Sequence, residues 1–93
     1  MKPESLARQV LRRTVPGLAK SIYANQLMTS RRAGRPLPTY TAEQLHDWLV
    51  AQPVFTSLYA AWIASGYDKE LSPSVDQLRN HEGYSLGNIQ LVT

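Results

Sequence analysis

Seven side chains between residues 8 and 35 suit one kind of chemistry, the neutralisation of phosphate: Arg8, Arg12, Arg13, Lys20, Arg31, Arg32 and Arg35. A guanidinium offers a planar fork of donors that matches phosphate oxygens, and an ammonium offers a point charge. Residues 1–35 carry eight basic residues against Glu4 alone, a net charge of +7. Residues 36–93 carry Lys69 and Arg79 against six acids, a net charge of −4. The formal charge of +3 therefore conceals a strong asymmetry. The basic part predicts an electropositive face that meets nucleic acid or an acidic protein surface. The bland alternative is a set of solvated helix faces.

Other chemistries find little support. The chain has no cysteine, so disulfides, thiolate metal sites and a cysteine nucleophile are all excluded. Its two histidines, His46 and His81, stand at no metal-ligand spacing from another ligand, which argues against zinc. No glycine-rich phosphate loop and no Ser-His-Asp pattern occurs. His46 follows Leu45 on a helical stretch and is expected at the solvent or at a core edge. His81 falls in a loop, where an imidazole is either a solvated residue or a general base.

These residues need elements to hold them. Ninety-three residues make a single domain. No apolar run approaches membrane-spanning length and no signal-peptide pattern opens the chain, so a cytoplasmic location is expected. A first helix is predicted over Pro3 to Thr14, with Leu6, Val10 and Leu11 on its apolar stripe. Pro16 and Gly17 interrupt it. A second helix follows from about Leu18 to Leu27 or slightly beyond, and Arg31 to Pro38 reads as a basic loop. Thr41 and Gln44 form a capping box at the head of a third helix, with Tyr40 placed to staple on Leu45. Pro53 suits the first turn of a fourth helix, whose Phe55, Leu58, Tyr59, Trp62 and Ile63 recur at helical spacing. Ser65-Gly66 ends it. Pro73–Leu78 and Asn88–Val92 read as strands around a loop containing Asn80, Gly83 and Gly87. The expected class is α+β, mostly helical, about four helices followed by a C-terminal β-hairpin. Its parts are a basic helical segment and loop (1–35), a helical hairpin (40–66) and the β-hairpin (73–93).

The run Pro73 to Thr93 (PSVDQLRNHEGYSLGNIQLVT) resembles the strand–loop–strand of phage HNH endonuclease-like proteins, which share a ββα-metal motif. Upstream pieces also look like that family: Ile22-Tyr23 with Gln26, the Arg-Gly-x-Pro loop, Tyr40-Thr41 before a helix with Trp48, and Ser65-Gly66-Tyr67. The resemblance covers about residues 20–93. In such a site one divalent ion touches the scissile phosphate while a base activates water. The resemblance places Asp76 as the metal-binding carboxylate, adequate for Mg²⁺, and Asn88 as the bracing asparagine. His81 is then the only imidazole near enough to replace the base.

The same resemblance marks what is missing. Gln77 occupies the position of a histidine or arginine, and Arg79 that of a second aspartate, where a cation opposes metal binding. The sequence ends at Thr93, so the helix that supplies a further ligand is expected to be absent. The resemblance thus implies a degenerate, catalytically inactive scaffold that binds nucleic acid through its basic N-terminal half, with no cofactor. Two other expectations stand beside this one. The first is a phage-encoded inhibitor of a host defence or nuclease complex, of anti-CRISPR or anti-restriction type, acting by protein contact. The second is a weak Mg²⁺-dependent nickase using Asp76, His81 and Asn88. A homodimer through an uncovered hairpin face bearing Val75, Ile89 and Leu91 is also expected.

Overall fold

Thr14 sets the first corner. Its backbone is extended and its hydroxyl accepts the Gly17 N–H at 3.1 Å, capping a helix that begins at once. In this computed structural model, which describes residues 6–79 and 82–93 and the side chains from residue 10 onward, α1 spans Leu6–Arg13 and α2 spans Val15–Ala33. The beginning of the first helix at Pro3 and the side chain of Leu6 lie outside the described residues. Pro16 sits in the first turn of α2, where its missing N–H costs nothing. It therefore starts the second helix, and α2 begins three residues earlier than Leu18. Gly17 lies where α1 turns into α2: a Cβ there would overlap the Leu11 carbonyl oxygen.

The other end of α2 also departs from expectation. Arg31 and Arg32 form its last turn rather than a loop. Nothing between Leu27 and Ala33 breaks a helix, and arginine is a good helix former. The stop comes at Gly34, left-handed at φ +68, where the Gly34 N–H reaches the Arg31 carbonyl at 3.3 Å and the Arg35 N–H reaches the Ser30 carbonyl at 2.9 Å. This paired closure satisfies carbonyls that a bare helix end leaves open.

The third helix, α3, runs Ala42–Ala51 behind a complete capping box: the Gln44 N–H donates to the Thr41 hydroxyl at 3.1 Å, and the Thr41 N–H donates to Gln44 Oε1 at 2.8 Å. The fourth, α4, covers Phe55–Ala64. Pro53 precedes it by two residues, outside its first turn. Gly66 and then Tyr67 take positive φ (76 and 66), a conformation disfavoured for a side chain with a Cβ. Tyr67 is held in it by an edge-on contact with Trp62, centroids 5.1 Å apart, and by the Arg13 guanidinium 4.1 Å over its ring.

The chain closes with two antiparallel strands, β1 (Ser74–Gln77) and β2 (Ile89–Val92), in the register Ser74↔Val92 to Gln77↔Ile89. The architecture is α+β, mostly helical, with a C-terminal hairpin. Alternation along β1 buries Val75 and Gln77 and exposes Ser74 and Asp76, as the period of two requires.

One core unites the helices and the hairpin. Leu18, Ala19 and Ile22 of α2 join Tyr40, Leu45, Leu49, Phe55 and Trp62, and Val75 and Ile89 complete it. Two expectations about apolar residues are corrected here. Val10 and Leu11 are exposed rather than core, because α1 meets α2 at its corner and turns that stripe outward. Val75 and Ile89 are buried and Leu91 is half-buried against the same core. The hairpin face expected to stand uncovered is covered by the helices of its own chain. Among the described residues no helix is long and apolar enough to cross a membrane.

Candidate nucleic-acid interface

The seven basic residues do not form one surface. Arg31, Arg32 and Arg35 gather at the C-terminal end of α2, all exposed. At a rise of about 1.5 Å per residue, Arg31 lies roughly 24 Å along the helix from Val15. Arg12 and Arg13 belong to the opposite end. Arg13 is half-buried: its guanidinium stacks on Tyr67 and its carbonyl accepts the Tyr59 hydroxyl. It is a packing residue before it is a phosphate ligand. The Arg8 side chain lies outside the described residues. Lys20 is exposed and lines a shallow cavity of about 240 Å³ together with Glu43 and Asp47. His46 lines that cavity too, its Nδ1 3.1 Å from the Asp47 carboxylate.

The cluster at the end of α2 is different. Among the described residues no carboxylate forms an ion pair with Arg31, Arg32 or Arg35, and the ion pairs there are His46–Asp47 and Arg79–Glu82. Three cations also suit the electronegative end of α2. That is a sufficient structural reason for two of them, but it does not require a third beyond the glycine cap. Arg35 is fixed by its backbone bond to Ser30 and turned toward the hairpin.

There the basic turn meets the residues that resemble a nuclease hairpin. The Thr39 N–H donates to the Tyr84 carbonyl at 3.0 Å, and Gly83 lies beside Pro36. The Tyr84 phenol is pushed up by burial and by the Asp76 carboxylate, while Arg35 pulls it down. Arg35, Tyr84 and Asp76 are thus electrostatic neighbours, although 41 positions of sequence separate Arg35 from Asp76. Of the three arginines, Arg35 is the one whose charge reaches Tyr84.

The hairpin itself is organised as a brace. Asn88 is 1% exposed. Its Oδ1 accepts the Arg79 N–H at 2.9 Å, and its Nδ2 donates to the carbonyls of Arg79 at 2.9 Å and Gly83 at 2.7 Å. Both ends of its amide are committed to holding the 79–88 loop closed. Asp76 faces solvent, one of its oxygens accepting the Gln77 N–H at 2.8 Å. Gln77 points into the core, 7% exposed. Arg79 is paired with Glu82 across the loop. His81 lies outside the described residues. The structure therefore separates exposed Asp76 from buried Asn88.

Among the described residues no group of three or more histidines, cysteines or carboxylates could hold a metal ion. Asp76 already serves a backbone N–H and Glu82 serves Arg79. This donor set does not fit a resident Mg²⁺, and no step is assigned to one.

Two residues that sequence reasoning passed over, Asn25 and Thr29, join others that it had named. Ile22, Asn25, Gln26 and Thr29 share one face of α2 and, with Val75 and Tyr84, line a recess against β1. Gln26 is almost fully buried, and its Oε1 accepts the Tyr40 hydroxyl at 2.6 Å. Their spacing of i, i+3, i+4 and i+7 was a readable signal, because it puts amides on the same face as buried Leu18 and Ile22.

No family model, curated protein or solved structure matches this chain.

Proposed function

We propose that this protein is a non-catalytic nucleic-acid-binding protein that grips the phosphate backbone with the basic turn at the end of α2. The observation that carries the reading is the cluster of Arg31, Arg32 and Arg35. All three are exposed and without an ion pair among the described residues, and Arg35 acts on the Tyr84 phenol. The sequence resemblance to phage HNH-like proteins supports a phage-type origin and a site of action in the bacterial cytoplasm. Binding without cleavage is supported by the hairpin, where Gln77 is buried, Arg79 is neutralised by Glu82 and Asn88 is consumed as a brace. The sequence carries no recognisable base-reading motif, so phosphate contacts are expected to dominate affinity.

Fluorescence anisotropy against a labelled duplex, titrated over a salt series, tests this directly. Three phosphate contacts give a slope of log K against log salt of about −2.7, at roughly −0.9 per contact on B-DNA. The triple substitution Arg31→Ala, Arg32→Ala, Arg35→Ala removes that slope and the binding with it. Absence of binding at low salt, or an unchanged slope in the triple variant, refutes the reading.

A second reading is favoured by a separate observation. Leu37, just past the basic turn, and Leu78 and Leu86, between the two strands of the hairpin, are exposed. Apolar side chains among cations suit an acidic protein surface, as an inhibitor of a host defence or nuclease complex would need. Capture of a defined acidic partner that survives nuclease treatment, and is lost in Leu37→Asp, selects this reading over the first.

A further inference from the structure

The first half of α2 stands between two hollows, and Lys20 lines both. On one side it shares a hollow with Glu43, His46 and Asp47 of α3. On the other it shares a groove with Leu11, near the end of α1. Glu43, His46, Asp47 and Val50 follow i, i+3, i+4 and i+7, so they share the outer face of α3, opposite buried Leu45 and Leu49. Lys20, Glu43 and Asp47 are all exposed. Lys20 and Glu43 line one hollow, yet among the described residues neither forms an ion pair, and Asp47 engages only the adjacent His46. Apolar side chains frame these charges: Val10, Leu11 and Val50 are 53%, 63% and 49% exposed.

We propose that this patch is the interface of a homodimer, in which Lys20 of each copy enters the hollow of the other and meets its Glu43 and Asp47. Charge identifies the occupant. A patch that carries both signs side by side is complementary to itself when turned about a twofold axis, and the axis makes every contact twice. A nucleic acid or an acidic protein would meet Glu43 and Asp47 with like charge, and a basic partner would meet Lys20 in the same way. Over most of the helical half two copies repel, since residues 5–42 contain no carboxylate and each chain carries +3. The carboxylates of α3 are the first that a second copy's α2 can find. Exposed ion pairs add little by themselves, so burial of Val10, Leu11 and Val50 supplies the remaining driving force. The basic turn at the far end of α2 stays clear of the interface, because Arg31 lies about 16 Å along the helix from Lys20. Helices of 8 and 10 residues and the head of a third make a patch at the low end of interface size, so association is reversible and concentration-dependent.

Sedimentation velocity of the full chain over a concentration series, at low and at high salt, tests the proposal. A passage from monomer to dimer with rising concentration is expected, and salt is expected to weaken it because the paired charges are exposed. Lys20→Glu is expected to weaken association at least about tenfold, and so is the double variant Glu43→Lys, Asp47→Lys, since each sets like charges together at both contacts. An equimolar mixture of the two variants is expected to associate as the unaltered protein does, because opposite charges then meet again at both contacts. Lys20→Glu, a single change at an exposed position, keeps the test decisive if the double variant fails to fold. A monomer at every concentration up to about 1 mM overturns the proposal. So does a dimer that survives Lys20→Glu, and so does a mixture that stays monomeric while both variants keep the helical circular dichroism of the unaltered chain.

Discussion

Replacing Asn88 by alanine removes three hydrogen bonds at once, and the structure allows the cost to be worked out. The Arg79 N–H and the carbonyls of Arg79 and Gly83 lose their partner, at 2.9, 2.9 and 2.7 Å respectively. Asn88 is 1% exposed, so water does not replace the amide without the loop opening. At about 1 kcal/mol net for each bond, the loss is about 3 kcal/mol. That is a large share of the roughly 5–15 kcal/mol that holds a domain together. Urea unfolding followed by tryptophan fluorescence reads it. With an m-value of about 1.5 kcal/mol/M, the midpoint falls by about 2 M. Native-state hydrogen exchange adds a local check, since the Arg79 amide loses its protection while amides within α3 change only as global stability does. A midpoint shift below about 0.5 M, on the same m-value scale, refutes the view of Asn88 as the brace of the hairpin.

Three further outcomes are expected. Tyr40 is pushed well up from its ordinary phenol value, first by burial, with Gln26 opposing and Tyr84 and Tyr23 adding to the rise. A folded-state pKa above the unfolded value means its contribution is fully present below about pH 10 and is lost as pH climbs higher. Alkaline unfolding should therefore coincide with tyrosine ionisation in an absorbance titration, and Tyr40→Phe should flatten the pH dependence. Gly17→Ala drives a Cβ into the Leu11 carbonyl and should cost about 1–3 kcal/mol or force α1 away from α2, read as a lowered Tm. Thr41→Ala breaks one arm of the capping box and should cost about 1 kcal/mol in the same measurement.

Legibility in the sequence tracked how local the cause was. The capping box of α3 was readable because Thr41 and Gln44 satisfy each other within one turn. The hairpin strands were readable from their alternation and from the glycines between them. The break between the first two helices was readable, but it was spread over residues 14–17, whereas the Thr14 cap confines it to one residue and Pro16 already belongs to α2. Arg31 and Arg32 were assigned to a loop that also held Gly34, Pro36 and Pro38, but α2 runs on through both arginines until Gly34 stops it. Val10 and Leu11 have an amphipathic spacing and still face solvent, since the direction of α1 depends on the close approach at Gly17. The basic residues were all visible as charges. Their division into two ends of a long helix was not, and neither was the meeting of Arg35 with Tyr84 and Asp76. Those depend on the tertiary seating of the hairpin. The Gln26 recess belongs to the same category, because one wall comes from residues 22–29 and the other from residues 75–84.

The bond from the Thr39 amide to the Tyr84 carbonyl joins residues 45 positions apart, and this carries a consequence for the order of assembly. Helices and a tight hairpin form from neighbours in sequence, while a tie of that span must first meet the entropy of closing a long loop. The hairpin therefore seats on a helical body that is already in place. Until it does, the recess has no second wall, and Arg35 has no tyrosine beside it. Anything that occupies that crevice is coupled to the final step of folding. A molecule held there would slow the reverse of that step and leave the chain most resistant to proteolysis around residues 82–88.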